Sequence, residues 1–135
     1  MKQIEKKKHS KGALATLLRN ELAILPLANH PNIVKIIDVF SGPHYYYVVM
    51  ELLEGGNLKS QISTSTMFSE MKVKNIVHQI LSALNYLHLE NIMHRDLKTE
   101  NIMLEQSLYE CADHEVCAKI TDFGMATYVD PTGGE

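Results

Sequence analysis

One amphipathic segment, residues 70–89, constrains the fold of this 135-residue chain more than any other segment. Ser69 is a suitable helix N-cap, and Glu70 suits the positive end of a helix dipole. Apolar side chains then recur at helical spacing in one wide stripe, namely Val73, Ile76, Val77, Ile80, Leu81, Leu84 and Leu87. The pattern predicts a helix over 70–89 that packs one face against a globular core.

Two β-rich runs precede this helix. β-branched and aromatic residues are concentrated in 33–40 and 45–52, and the turn-forming sequence Ser41-Gly42-Pro43-His44 separates them. An antiparallel hairpin is therefore predicted. Gly55-Gly56 then breaks the chain, and a short helix is expected from Asn57.

The remaining segments complete a mixed pattern. Leucines at helical spacing between a candidate N-cap at Ser10 and Pro26 predict a helix near 11–25. The other predictions are short strands at 101–104 and 118–121, and loops at 91–98 and from Asp122 onward. This order of helix, hairpin, long helix and small hairpin places the chain in the α+β class.

Composition and charge exclude several classes of protein. Hydrophobic residues make up 45% of the chain, which is enough for a core, and a net charge of −3 predicts neither a nucleic-acid nor a membrane partner. No apolar run approaches the ~20 residues of a membrane-spanning helix, and residues 1–6 are too charged to begin a secretory signal. With only two cysteines, we expect reduced thiols and an intracellular location, in the cytoplasm with the nucleus as the alternative.

The most informative motif follows the long helix. Residues 94–101 read H-R-D-L-K-T-E-N, and Asp122-Phe123-Gly124 follows the second short strand. The letters H-R-D-L and the final Asn have a chance of about 10⁻⁷ to 10⁻⁶ per start position at roughly 5% per residue type. An ordinary charged turn after a helix does not account for both motifs. Together they resemble the catalytic loop and the D-F-G motif of the protein kinases.

This resemblance implies a role for each polar residue of the two motifs. Phosphoryl transfer from ATP depends mainly on positioning and charge neutralisation, because its transition state is loose and anionic. By resemblance, Asp96 accepts or orients the proton of a substrate hydroxyl, and Lys98 neutralises the transferring phosphate. Asn101 and Asp122 supply the oxygen ligands that Mg²⁺ prefers. ATP and Mg²⁺ are the expected cofactors, and a protein is the expected substrate.

A carboxylate in the first predicted helix gives a further test. Glu21 lies on the same helical stripe as Leu18 and Leu25, where it needs a cation. In protein kinases a lysine of the V-A-I-K strand supplies that cation, and Met1-Lys2 resembles the end of that strand, with Lys2 gripping the α and β phosphates. The alternative is that Glu21 extends into solvent, but the kinase resemblance favours the ion pair.

The predicted hairpin resembles the two kinase strands that lead to the hinge between the lobes. By that resemblance, Met50 is the gatekeeper beside the adenine, while Glu51 and Leu53 offer backbone groups to the adenine edge. Asn57 lies where the family often carries a ribose-binding side chain, and Met103 where an apolar residue forms the adenine floor. Plain core packing is the alternative for both methionines and is compatible with an apolar pocket.

The implied fold is an incomplete two-lobe kinase fold. Residues 1–52 correspond to part of the small lobe, and residues 53–135 to the first part of the large lobe. Lys98-Thr99 within the catalytic loop indicates the serine/threonine class. The run 46–52, together with the earlier N-H-P-N-I-V-K, is most similar to the calcium/calmodulin-regulated group.

The chain also departs from the family pattern at both ends. No Gly-rich loop precedes Lys2, and no A-P-E motif follows Gly124, so we expect a kinase domain that is cut at both ends. The 70–89 helix should then expose part of its apolar stripe. One hypothesis is an ATP-dependent serine/threonine kinase. The alternative is a catalytically inactive, pseudokinase-like module that binds a partner protein through this exposed apolar face.

The connection between the two predicted short strands is longer than usual for the family. It contains Cys111, His114 and Cys117 in a C-x2-H-x2-C pattern, but a zinc site would need a fourth ligand, which Asp113 or Glu115 could supply only awkwardly. We therefore expect an exposed hairpin insertion here rather than a metal site.

Overall fold

The computed structural model of the protein describes residues 1–5, 28–63 and 67–129. The helix predicted near 11–25, and Glu21 with it, lies outside the described residues. Within them, short strands alternate with two α-helices, which confirms the predicted α+β class. No helix in these ranges is long and apolar enough to cross a membrane.

The predicted hairpin is part of a three-stranded antiparallel sheet. Strands β1 (Lys2–Glu5), β2 (Ile36–Ser41) and β3 (Tyr45–Met50) lie in the order β1-β3-β2. β2 begins later than predicted, because the backbone N–H of Val34 donates to Ile120 O at 3.0 Å and so joins this part of the chain to another strand. The hairpin is confirmed, but its first two predicted residues, Ile33 and Val34, contact Ile120 instead of the partner strand.

The long helix has the predicted bounds. Helix α1 (Leu58–Ile62) is short, and helix α2 (Glu70–Leu89) begins at Ser69, whose hydroxyl accepts a hydrogen bond from the backbone N–H of Lys72 at 3.0 Å. The stripe is wider than the face that α2 buries: Ile76, Ile80 and Leu87 lie in the core, whereas Val73, Val77 and Leu81 are each about half exposed. The apolar patch expected on this helix is therefore present.

The core lies where α2 meets two small two-stranded sheets. Strand β4 (Ile92–Met93) pairs with β7 (Thr127–Tyr128), and β5 (Ile102–Leu104) pairs with β6 (Ala118–Ile120). The largest fully buried side chains of this core are Phe123, Leu87, Leu104, Leu108, Ile120 and Val34. Burial of each such side chain contributes about 1.5–3 kcal/mol. This core supports the β5–β6 hairpin, which carries both sequence motifs at its ends.

Two predicted loops are wrong in part. Strands β4 and β7 lie in the regions 91–98 and 122–135, where only loop was predicted, and a 3₁₀ turn occupies Phe123–Met125. Strands of two residues are too short to show an alternating pattern, and their pairing joins segments far apart in the chain. The sequence of either segment alone carries no signal for it.

The expectation of an exposed hairpin insertion is wrong in part, because the segment has buried as well as exposed residues. Between β5 and β6 the chain forms turns that bury Leu108, Cys111 and Val116. The ammonium of Lys72, on α2, donates to the carbonyls of Leu108 and Cys111. The segment is thus packed on α2. Over the described ranges, no group of three or more His, Cys, Asp or Glu side chains is placed to hold a metal ion.

Candidate active site

A cleft of about 260 Å³ brings together four of the predicted site residues, Lys2, Met50, Asn101 and Asp122. Lys2 comes from β1 and Met50 from the end of β3, while Asn101 precedes β5 and Asp122 follows β6. The lining also includes residues that the sequence argument did not single out, namely Met1, Val34, Glu100 and Thr121. Glu100 lies within the 94–101 motif and Thr121 directly precedes Asp122, and these positions are the sequence signals that could have indicated them.

Lys2 and Asp122 face each other across the cleft. The Nζ atom of Lys2 lies 3.0 Å from Oδ1 of Asp122. Asp122 has a backbone φ of 60° in the left-handed region, which Asp tolerates better than most residues. The same carboxylate accepts a hydrogen bond from the backbone N–H of Gly124 at 3.4 Å. This turn therefore directs one carboxylate toward the lysine of the first sheet.

Asp96 forms the centre of a second polar cluster. Lys98 Nζ donates to both carboxylate oxygens of Asp96, at 3.0 and 2.7 Å. Asn101 Nδ2 donates to the Asp96 backbone carbonyl at 2.8 Å and to its Oδ2 at 3.0 Å. The hydrogen bond from Lys98 lowers the pKa of Asp96, and the same bond raises the pKa of Lys98. Asp96 is thus ionised at neutral pH, and Asn101 has its amide oxygen left for a cation.

His94 connects the 94–101 segment to the D-F-G segment. Its Nδ1 accepts from the backbone N–H of Asp96 at 3.3 Å, so its Nε2 carries the proton and donates to Thr121 O at 3.0 Å. The ring packs edge-on against Phe123 with a centroid distance of 4.8 Å. Burial lowers the pKa of His94, in agreement with this neutral form. The bond to Thr121 holds the residue next to Asp122.

The carboxylate of Glu51 bonds Lys119 and Lys35, which are not part of the cleft lining. Its Oε2 accepts from Lys119 at 2.7 Å, and its Oε1 accepts from the backbone N–H of Lys35 at 2.7 Å. The role predicted for Glu51 involves its backbone, and that role stays a prediction. Sequence reasoning missed Lys119; a single charged residue within the apolar strand Ala118–Ile120 is the signal that could have found it.

Three other predicted site residues, Leu53, Asn57 and Met103, do not belong to the lining of the cleft. Leu53 is buried in the core, and Met103 packs partly against the core and forms an isolated bridge with Asn57. The Oδ1 atom of Asn57 accepts from the backbone N–H of Ser60 at 2.8 Å and thereby caps helix α1. This cap gives Asn57 a structural role, and its contact with a ribose stays a prediction.

The donor set of the cleft fits a magnesium-bound nucleotide. Mg²⁺ in phosphate sites is held by one or two protein oxygens together with the phosphates, and Asn101 and Asp122 provide one amide oxygen and one carboxylate. The ammonium groups of Lys2 and Lys98 match the negative charge of phosphates. The side chains of Met50 and Val34 add an apolar wall, as a flat heterocycle requires.

Comparison with known proteins agrees with this geometry. Residues 1–134 match the family model described as the protein kinase domain. The chain is 42% identical over 117 residues to calcium-dependent protein kinase 6 of Plasmodium berghei (strain Anka), which covers 87% of the chain and 8% of that relative. It is 40% identical over 114 residues to serine/threonine-protein kinase DCLK1 of Rattus norvegicus, a match that covers 84% of the chain and 25% of that relative. It is 39% identical over 127 residues to serine/threonine-protein kinase 33 of Mus musculus, a match that covers 93% of the chain and 26% of that relative. The chain thus spans about a quarter or less of the length of these relatives.

Proposed function

Because this chain belongs to the protein kinase family, and by family is a serine/threonine kinase, we propose that it transfers the γ-phosphoryl group of ATP to serine or threonine hydroxyls of a protein substrate. The observation that carries the proposal is the cluster in which Asp96 bonds both Lys98 and Asn101. A base, a cation and a metal ligand are then adjacent, as phosphoryl transfer requires.

Asp96 is the proposed base. The hydrogen bond from Lys98 lowers its pKa, so the carboxylate is free of a proton at neutral pH. As the substrate oxygen bonds to the γ-phosphorus and the bond to the ADP oxygen breaks, Asp96 takes up the hydroxyl proton. Lys98 stabilises the negative charge on the transferring group, because its raised pKa keeps the ammonium charged.

The cleft residues are proposed to hold the nucleotide. Asn101 and Asp122 would bind Mg²⁺, and the bound ion would neutralise part of the negative charge of the phosphates. Lys2 would contact the α and β phosphates, and Met50 would lie beside the adenine. Further contacts at the nucleotide site are proposed from the family resemblance for Glu21, Glu51, Leu53, Asn57 and Met103.

The division into lobes is part of the same proposal. Residues 1–52 are assigned to the small lobe and residues 53–135 to the large lobe. The cleft supports this division, because Lys2 and Met50 come from the first part and Asp122 from the second. An intracellular location, the absence of nucleic-acid and membrane partners, and similarity to the calcium/calmodulin-regulated group are also kept as proposals.

A phosphoryl-transfer assay tests the proposed activity. The purified chain is incubated with Mg²⁺ and γ-labelled ATP and a generic basic protein, and label on serine or threonine is measured. Asp96→Asn should lower the rate by about 10²-fold or more. Asp38→Asn, at an exposed position on β2, is the matched control and should act like the parent chain. Equal transfer by the parent chain and Asp96→Asn would overturn the proposal.

The exposed apolar face of α2 favours a second candidate function, the binding of a partner protein. This face presents Val73, Val77 and Leu81, each about half exposed, on one side of the helix. Such a patch on a domain surface indicates an interaction site. If the parent chain shows no transfer, binding of a partner that Leu81→Glu abolishes would support this candidate instead.

A further inference from the structure

Lys119 is a buried cation in an otherwise apolar strand. All three residues of β6 are buried, and Lys119 itself is only 9% exposed. An ammonium group withdrawn from water is strongly disfavoured unless charged partners surround it. The position of Lys119 therefore needs an explanation in terms of its partners.

Two carboxylates hold the ammonium of Lys119. Its Nζ lies 2.7 Å from Glu51 Oε2 and 2.9 Å from Glu105 Oε1. Burial opposes the charged form of Lys119, but the hydrogen bonds to Glu51 and Glu105 outweigh that effect and raise its pKa. The bond from Lys119 also lowers the pKa of Glu105. We call this group of one ammonium and two carboxylates, Lys119, Glu51 and Glu105, the Lys119 clamp.

The clamp joins segments that contribute to the cleft. Glu51 directly follows Met50, which lines the cleft, and its backbone N–H donates to Lys35 O at 3.1 Å. On the other side, the chain leaves β6 at Ile120, the residue after Lys119, and reaches Asp122 two residues later. A single ammonium thus links the residue that follows β3 to the strand that leads to the proposed metal ligand.

Glu105 attaches the clamp to the other strand of the small hairpin. Its backbone N–H donates to Cys117 O at 3.1 Å, which extends the pairing of β5 with β6 by one residue. Asn101 lies at the opposite end of β5, next to the cleft. The clamp therefore holds both strands of this hairpin in relation to the segment after Met50.

We propose that Lys119 is a positioning residue of the nucleotide site, which sets the distance between the Met50–Leu53 segment and the metal ligand Asp122. This inference rests on the proposed function and adds a residue to it. Lys119 lies outside the lining of the cleft, so it acts through Glu51 and through β6. A misplacement of about 1 Å between binding groups can cost as much as 10²-fold in rate.

Steady-state kinetics of three variants separates positioning from simple stabilisation. Lys119→Met removes the charge, Lys119→Arg keeps it, and Lys74→Met removes an exposed charge on α2 as a control. Lys119→Met should raise the KM for ATP by about tenfold, as loss of supporting groups around a metal site does. The KM for the protein substrate should stay unchanged. Lys119→Arg should return the KM for ATP to within about threefold of the parent value, because its guanidinium can contact both carboxylates. Lys74→Met should match the parent.

A second variant covers the case in which Lys119→Met fails to fold. Glu51→Gln keeps an oxygen that can accept the Lys35 N–H, but it removes the charge that faces Lys119. Glu51→Gln should raise the KM for ATP by about threefold. Thermal unfolding without nucleotide checks that this variant is folded. An unchanged KM for ATP in a folded Lys119→Met or Glu51→Gln variant would overturn the positioning role.

The parent chain distinguishes this inference from the proposed function. A parent that neither binds ATP nor transfers phosphate would overturn both proposals together. A parent that is active, with a folded Lys119→Met variant of equal KM for ATP, would overturn the role of Lys119 alone. A parallel rise of the KM for ATP and the KM for the protein substrate would also count against it, because it would indicate general damage to the domain.

Discussion

Lys2 Nζ and Asp122 Oδ1 lie 3.0 Å apart, although the two residues are 120 positions apart in the chain. Both side chains are partly exposed, at 36% and 47%. Exposed ion pairs of this kind contribute about 0–1 kcal/mol to folding, so the pair does little to hold the chain together. Its significance is that it places a cation and a carboxylate on opposite sides of the cleft.

Substitution of Lys2 separates binding from stability. Loss of the pair with Asp122 in Lys2→Met should change the free energy of unfolding by less than about 1 kcal/mol, because that pair is half exposed. It should weaken ATP binding by about tenfold or more, because it removes a charge-assisted contact to the phosphates. Urea unfolding and nucleotide titration check the two effects. A large loss of stability with unchanged binding would contradict this account.

Substitution of Lys72 should have the opposite profile. Its buried ammonium donates to the carbonyls of Leu108 and Cys111, both buried, and lies 3.7 Å from Asp113. Lys72→Met leaves those carbonyls without their donor, which should cost about 2–4 kcal/mol of unfolding free energy. Lys74→Met, at the exposed position two residues later, should stay within about 0.5 kcal/mol. Urea unfolding of both variants makes the comparison, and equal stability of the two would contradict it.

The elements that could be predicted from sequence are those with strong local signals. Helix α2 has a cap at Ser69 and several turns of apolar periodicity, and its bounds agree with the prediction. The β2–β3 hairpin has two β-branched runs around a turn centred on Gly42-Pro43. The motif letters around Asp96 and Asp122 indicated the chemistry because they specify residue types at fixed spacing.

The features that could not be predicted depend on long-range contacts. The buried carbonyls of Leu108 and Cys111 are satisfied by a lysine 36 and 39 residues away, and no local pattern shows that. The partner of Lys119 could not be predicted for the same reason, since Glu51 is 68 residues away. Asn57 illustrates a further limit: the same side chain suits a helix cap and a ribose contact, and only the fold shows that it forms the cap.

The buried histidine predicts a pH dependence of stability. Because burial lowers the pKa of His94, the unfolded chain binds more protons than the folded chain once the pH falls below about 6.5. The free energy of unfolding should therefore decrease with acidification through that range. His30, whose pKa is also lowered by burial, contributes in the same range. Asp96 affects stability only at lower pH. The hydrogen bond from Lys98 lowers its pKa below 3.8, so its contribution to the free energy of unfolding is lost only in stronger acid.

Urea unfolding between about pH 5 and 8 measures this dependence. His94→Gln should show a shallower fall in unfolding free energy with acidification than the parent chain, and a His30→Asn/His94→Gln double variant should be shallower still. An equal slope in His94→Gln and the parent would contradict the neutral state assigned to His94.

The thiol of Cys117 should react slowly with alkylating agents. Burial, and to a smaller extent the negative charge of Glu105, raises the pKa of Cys117 from an ordinary value of 9.0 to about 11. At about pH 8 only about one thiol in a thousand is then ionised, so alkylation should be about a hundredfold slower than for an ordinary cysteine. Glu105→Gln should speed the reaction. Mass spectrometry after iodoacetamide treatment measures it, and rapid labelling of the folded parent at Cys117 would contradict the assigned pKa.

Calorimetric titration of ATP, with and without Mg²⁺, is the most direct test of the nucleotide site formed by Lys2, Asn101 and Asp122. We expect weak binding to the parent chain that saturates at millimolar ATP and is tighter with Mg²⁺. Asp122→Asn should remove the effect of Mg²⁺ while thermal unfolding shows the variant to be folded, because one of the two proposed metal ligands loses its charge. Absence of binding to the parent chain at millimolar ATP, or equal binding with and without Mg²⁺, would contradict the central claim.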